Sequence, residues 1–145
     1  LATEGLTVFS NIGLLQTKFK NYVTEDDIDM DGRDQPHAPA YQFAIGGQYN
    51  FDFGLFMRTE VEGKDGFFFS DRHNKESDAY ELLNAKIGYQ ADQWQVALWG
   101  RNLTDEDYHT RGFNFPNDPR DGYTSNGYTQ LGEPRMIGVS FNLDI

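Results

Sequence analysis

Arg58, Glu60, Glu62 and Lys64 alternate along one short stretch. In an extended chain, residues two apart share a face, so these side chains stand roughly 7 Å apart in a row. Two carboxylates at that spacing could divide acid and base duties, but nothing in the flanking sequence would hold either one protonated at neutral pH. A mutually paired charge ladder, solvated or lining a wall, accounts for them better. Asp27-x-Asp29-x-Asp31-Gly32 has the opening spacing of a calcium-binding EF-hand loop, yet the bidentate glutamate it needs would fall at Ala38 and no helices flank it. The metal reading left is a looser calcium site shared by Asp27, Asp29 and Asp31, set against a simply solvated acidic loop. His37, His73 and His109 fall in separate loops without paired ligand spacing. Ser70, Asp71 and His73 are close in sequence, but no nucleophile elbow accompanies them. The sequence assigns no catalytic residue and no cofactor.

Residues 108–128 suit binding better. Phe113, Phe115, Tyr123 and Tyr128 are mixed there with Arg111, Asn114 and Asn117, a composition that can hold a polar organic ligand or a metal chelate by stacking and hydrogen bonds. The competing reading is a self-packed loop, in which Asn117-Asp118-Pro119-Arg120-Asp121-Gly122 supplies turns and an Arg–carboxylate clamp. Arg120 and Asp121 are assigned that structural role.

The elements that must position these groups are strands. Alternation predicts strands over Tyr41 to Phe51, Phe53 to Lys64, Glu81 to Gln90, Trp94 to Asn102 and Arg135 to Ile145, plus a first one within Leu6 to Phe19 whose two phases both carry apolar residues. One face of the last strand holds Ile137, Val139, Phe141, Leu143 and Ile145. The second strand alternates cleanly, with Tyr41, Phe43, Ile45, Tyr49 and Phe51 opposing Gln42, Ala44, Gly46, Gln48 and Asn50. Connections alternate in length: long over residues 21–40, where Glu25, Asp26 and Asp34 add to the acidic run, tight at Asp52, intermediate over 70–78, tight at Asp92, and long over 104–134. Outer-membrane barrels show this alternation, and apolar faces of about ten residues match a tilted transmembrane strand. Aromatics gather beside the tight turns, Tyr49, Phe51 and Phe53 at one and Tyr89 and Trp94 at the other, as an interfacial girdle requires. A soluble β-sandwich, an adhesin or carbohydrate-binding module, would also alternate and would bury the apolar face as its core.

A chain of 145 residues has the length of one domain. Its net charge of −11 argues against a nucleic-acid partner, and 15% aromatics argue against acidic disorder. Without cysteines, neither a disulfide framework nor a thiolate metal site can form. No apolar run is long enough for a transmembrane helix, and no export signal stands at the start. Because a membrane barrel needs at least about eight strands, an all-β antiparallel meander of about six is expected to be part of something larger.

The segments Gly100-Arg101-Asn102-Leu103-Thr104-Asp105-Glu106-Asp107-Tyr108, Thr110-Arg111-Gly112-Phe113, Asn117-Asp118-Pro119-Arg120-Asp121-Gly122-Tyr123 and Leu131-Gly132-Glu133-Pro134-Arg135 resemble the C-terminal end of TonB-dependent outer-membrane receptors. Gly32-Arg33, Pro36, Ala38-Pro39 and Tyr41-Gln42-Phe43 are similar to an earlier stretch of the same barrel. The resemblance spans nearly the whole chain and implies that residues 1–145 are the C-terminal part of a transmembrane barrel of about 22 strands, with the plug domain and earlier strands lying before Leu1. It implies uptake of siderophore-bound iron, haem, cobalamin or a glycan across the bacterial outer membrane, with outer-membrane lipid, the rest of the barrel and its plug, TonB and a small-molecule substrate as partners. Arg58, Glu60, Glu62, Lys64, Lys86 and Arg101 then become a lumen-facing charged wall. The isolated segment is expected to self-associate to hide its edges and apolar face. Barrels of this family commonly end on an aromatic residue, whereas this sequence ends Asp144-Ile145, so either the apolar terminus suffices or further residues follow.

Overall fold

The computed structural model describes residues 4–24, 27–71 and 73–144; Glu25, Asp26 and Ile145, drawn on above, lie outside them. Six strands form one antiparallel sheet: β1 (Leu6–Leu14), β2 (Tyr41–Asn50), β3 (Leu55–Lys64), β6 (Tyr80–Gln90), β7 (Trp94–Arg101) and β10 (Met136–Leu143), each beside the next in that order. The longer connections carry two small ribbons, β4 (Phe67–Phe68) with β5 (Glu76–Ser77), and β8 (His109–Phe115) with β9 (Asn126–Leu131). Strands β5, β8 and β9 fall in stretches that composition alone marks as loop, and β4 lies just ahead of one.

Register sorts the side chains cleanly. One row across the sheet reads Leu6, Tyr49, Met57, Ile87, Leu98, Val139, each directly opposite its neighbour. On the other face, Gln48 lies opposite Arg58, Arg58 opposite Lys86, and Lys86 opposite Trp99. The ambiguous first strand falls into phase: Leu6, Val8, Ile12 and Leu14 join the apolar face, while Phe9 joins the polar one opposite Gly46.

Burial is inverted relative to a soluble sheet protein. Ile45, Leu98 and Val139 on the apolar face are 48%, 49% and 70% exposed. Among the described residues no second sheet covers them, so the core that a β-sandwich requires is missing. What is buried lies elsewhere: Phe56, Leu82 and Ala97 on the polar face, and Met30, Phe67, Phe69 and Ser77 among the connections. Large apolar side chains left facing outward along six paired strands fit a hydrocarbon solvent, where the burial term is supplied by lipid.

The two ends of the sheet differ. Tight turns close one end, with Phe51 N–H bonded to the Leu55 carbonyl at 2.8 Å and Ala91 N–H to the Trp94 carbonyl at 2.9 Å. Gly54 in the first turn has φ +94°, a conformation that a side chain would strain. Along this end an aromatic row runs from Tyr49 to Phe51 (4.6 Å between centroids) to Phe53 (5.4 Å), and from Tyr89 to Trp94 (5.6 Å) to Phe141 (6.4 Å). The connections over residues 15–40, 65–79 and 102–135 cluster at the other end.

Candidate functional site

Strand β3 places Arg58, Glu60, Glu62 and Lys64 in one row on the polar face, with Lys86 opposite Arg58 and Arg101 opposite Met136. Arg58 Nη2 meets Glu60 Oε2 at 2.9 Å, Asn84 Nδ2 donates to Glu62 Oε1 at 3.0 Å, and Arg101 Nη1 comes no nearer than 3.9 Å to Glu133 Oε2. Such partly exposed pairs each contribute at most about 1 kcal/mol. They border a cleft of about 660 Å³ that also touches Asn84, Trp99 and Tyr108.

Sequence reasoning missed what lies under the cations. Arg58 stands 4.3 Å over the Phe9 ring, Lys86 5.6 Å over Phe56 and Arg101 5.9 Å over Trp99. Each of these rings lies directly opposite a glycine on the neighbouring strand: Gly46, Gly88 and Gly138 respectively. A Cβ on Gly138 would sit 2.3 Å from the Trp99 ring. Strand glycines expose backbone and weaken a sheet; an aromatic laid across each one restores the contact, and the cation above gains the ring's negative face. The signal available in sequence is the pairing of aromatic and glycine at facing positions, which requires knowing the register.

The longest connection is tied at both ends by Asn102, which is 3% exposed and has φ +48°. Its Nδ2 donates to the Glu106 carbonyl at 2.9 Å and the Glu133 carbonyl at 3.1 Å, while its Oδ1 accepts from Glu106 N–H at 2.8 Å. Asn102 N–H in turn donates to Asn84 Oδ1 at 3.1 Å. Nearby, Arg135 pairs with Asp105 at 3.2 Å, and the Tyr108 ring lies tilted against Tyr80 at 4.4 Å and beside Gly132. Residues 100–108 and 131–135 are therefore the two halves of one knot.

From this knot the β8–β9 ribbon rises. One of its faces packs on the 65–79 connection, with Gly112 against Phe69 and Gly127 against Lys75. The free face brings together Arg111, Phe113, Phe115 and Tyr128: Arg111 lies 5.0 Å over the Phe113 ring, Phe115 stacks on Tyr128 at 4.9 Å, and Tyr128 Oη donates to Asn117 Oδ1. Asn114 alternates to the packed side, and Tyr123 stands apart at the tip, 63% exposed with φ +62°. At that tip Arg120 grips Asp118 through Nε at 2.9 Å and Nη2 at 2.7 Å, which holds the Asp118 carboxyl below its usual pKa. Asp121 accepts from Thr124 N–H at 3.1 Å and Asn126 Nδ2 at 2.8 Å.

Within the acidic stretch, the carboxylates of Asp29 and Asp31 turn to backbone groups. Asp29 Oδ1 accepts from Asp31 N–H at 2.9 Å and Asp31 Oδ1 from Asn21 N–H at 2.8 Å, and no group of three metal-ligating side chains comes together among the described residues. His73 Nδ1 accepts from Lys75 N–H at 3.1 Å, and the Ser70 hydroxyl donates to Asp71 at 3.4 Å. That arrangement sets up no nucleophile activated by an imidazole.

No family model matches the chain. Among solved structures, the fold recurs as a segment of TonB-dependent receptor barrels, so the expected all-β barrel segment is the observed architecture. The ferric yersiniabactin uptake receptor FyuA from Yersinia pestis matches 99% of this chain with 21% of its own, at 20% identity and a TM-score of 0.76. The ferric-catecholate import receptor Fiu from E. coli K12, in its closed form, matches 97% of this chain with 19% of its own, at 21% identity and a TM-score of 0.67. Likeness at that identity shows the fold, and the chain spans about a fifth of the length of these receptors.

Proposed function

We propose that the chain is the C-terminal part of the barrel of a TonB-dependent outer-membrane receptor, which captures a scarce nutrient outside the cell and admits it with energy relayed by TonB. The observation that carries this is the single sheet with its apolar face exposed and β1 and β10 unpaired on their outer edges among the described residues. Such a sheet needs lipid on one face and the rest of its own barrel at both edges, and its charged face, Arg58 to Lys64 with Lys86 and Arg101, then lines the lumen against the plug. Expressed alone, the segment would self-associate. Transport rather than enzyme chemistry follows, and the two similar structures, both receptors for ferric chelates, favour siderophore-bound iron over haem, cobalamin or a glycan.

The ligand-binding part of this proposal falls on the free face of the β8–β9 ribbon, Arg111, Phe113, Phe115 and Tyr128, with Asn117 and Tyr123 at its tip. In the full receptor, Phe113→Ala is expected to weaken binding of a ferric catecholate or ferric phenolate about fivefold, the worth of one stacked ring at about 1 kcal/mol. Asn114→Ala, on the packed side, should leave the affinity unchanged. Isotherms with the two effects equal, or with Phe113→Ala silent, would return the ribbon to a purely structural role.

A further inference from the structure

All three histidines lie in the connections clustered at one end and none in the six-stranded sheet. Two of them sit where residues 15–40 meet residues 65–79. His37 donates its backbone N–H to the Phe68 carbonyl at 2.9 Å and rests its ring 5.4 Å from that of Phe67. Among the described residues the charges that act on it are Arg111 of β8 and Lys64 of β3, the latter 4.4 Å over the same Phe67 ring. His73 accepts from Lys75 N–H through Nδ1, so its own proton is on Nε2, which is buried with no partner among the described residues. Across the junction Arg33 lies 4.3 Å over the Phe68 ring and donates to the carbonyls of Ser70 and His73. Among the described residues Lys75 and Arg33 are the cations that face His73, and Asp71, bonded by Tyr22 Oη at 2.7 Å, is an opposing anion.

We infer that this junction is an acid-released latch, closed while His37 and His73 are neutral and opened when they take up protons. A proton on His73 Nδ1 would replace the acceptor of the Lys75 N–H with a donor and leave an imidazolium between Lys75 and Arg33. A proton on His37 would add a second cation beside Lys64 at the Phe67 ring, within the field of Arg111. Both imidazoles are held below their ordinary pKa, His37, though exposed at the surface, by partial desolvation and then by Arg111 and Lys64, and the half-buried His73 by desolvation and then by Lys75 and Arg33. A hydrogen bond to the Phe69 backbone opposes the first shift and Asp71 the second, and neither reverses it. A depressed imidazole pKa contributes stability that is complete above the free value and is lost as pH falls through the lowered one, so the latch loosens on acidification. This adds a regulation to the proposed ligand loops and rests on that reading for its setting, an acidified medium outside the cell.

The test is pulsed EPR on the full receptor in lipid vesicles, with nitroxides on Ile28→Cys and Asn74→Cys, at about pH 7.5 and about pH 5, a window in which unperturbed side chains other than histidine barely titrate. The expected result is one narrow distance distribution at the higher pH and a reversible second population, longer and broader, at the lower. The pair His37→Gln with His73→Asn should stay narrow at both. Lys64→Met, which keeps the contact with Phe67 and removes one repelling charge, should move the opening to lower pH, and it stands if the double variant fails to fold. An unchanged wild-type distribution, a double variant that opens like wild type, or an opening unmoved by Lys64→Met would overturn the latch. Lipid-side labels at Ile45 and Val139 in the same vesicles report on the barrel separately, so failure of one reading does not imply failure of the other.

Discussion

Replacing Asn102 by leucine is expected to raise the rate at which protease cuts the 102–135 connection about 100-fold, in receptor embedded in outer membrane. Leucine would leave Glu106 N–H and the carbonyls of Glu106 and Glu133 without the partners they now have. These bonds are part-buried, so each group that loses its partner costs about 0.5–1 kcal/mol, and a branched side chain at positive φ adds about 1 kcal/mol. A local opening penalty reduced by about 3 kcal/mol is a factor of about 100 in the population that protease can reach. Asn102→Asp keeps the acceptor for Glu106 N–H and tolerates the backbone, but loses both Nδ2 donors, so it should fall between the two. Leucine and wild-type proteins cut at equal rates would mean that the knot does not hold this connection.

The second large effect is expected at Gly138. The three atoms nearest a Cβ there all belong to the Trp99 side chain, at 2.3 to 2.9 Å, so Gly138→Val must push the indole off the neighbouring backbone and away from Arg101. Overpacking of this kind costs about 1–3 kcal/mol, and the displaced cation–ring contact about 0.5–1 kcal/mol more. The readout is the fraction of receptor that migrates as a compact barrel on unheated gels, which should fall severalfold. Because the clash is with one side chain, Trp99→Ala in the same chain should restore part of the loss, a coupling that separate effects would not show. Valine and the double variant falling equally would place the constraint in the backbone instead.

These two residues also mark where sequence reading stops. The phases of β2, β3, β6, β7 and β10 are legible because their apolar residues recur every second position. In β1 they are not, because Phe9 belongs to the polar face for a reason that lies on another strand, the glycine at position 46 opposite it. Phe56 is hidden in the same way by Gly88. Asn102 looks like an ordinary turn residue, since its partners Glu106 and Glu133 come together only when the connection closes. The β8–β9 ribbon is disguised by its glycines and asparagines, which read as loop yet allow it to lie flat against Phe69 and Lys75. Asp29 and Asp31 have calcium spacing in sequence, but the turn they sit in directs their carboxylates to backbone N–H groups.

The most direct test of the membrane assignment is collisional quenching of probes at Ile45, Val96 and Val139, compared with Gln48 and Ser140, in the full-length receptor reconstituted in lipid. The barrel reading predicts that a lipid-borne quencher reaches the first three and spares the last two. Protection of Ile45, Val96 and Val139 from lipid and water alike would mean that the apolar face is a buried core, and would contradict it.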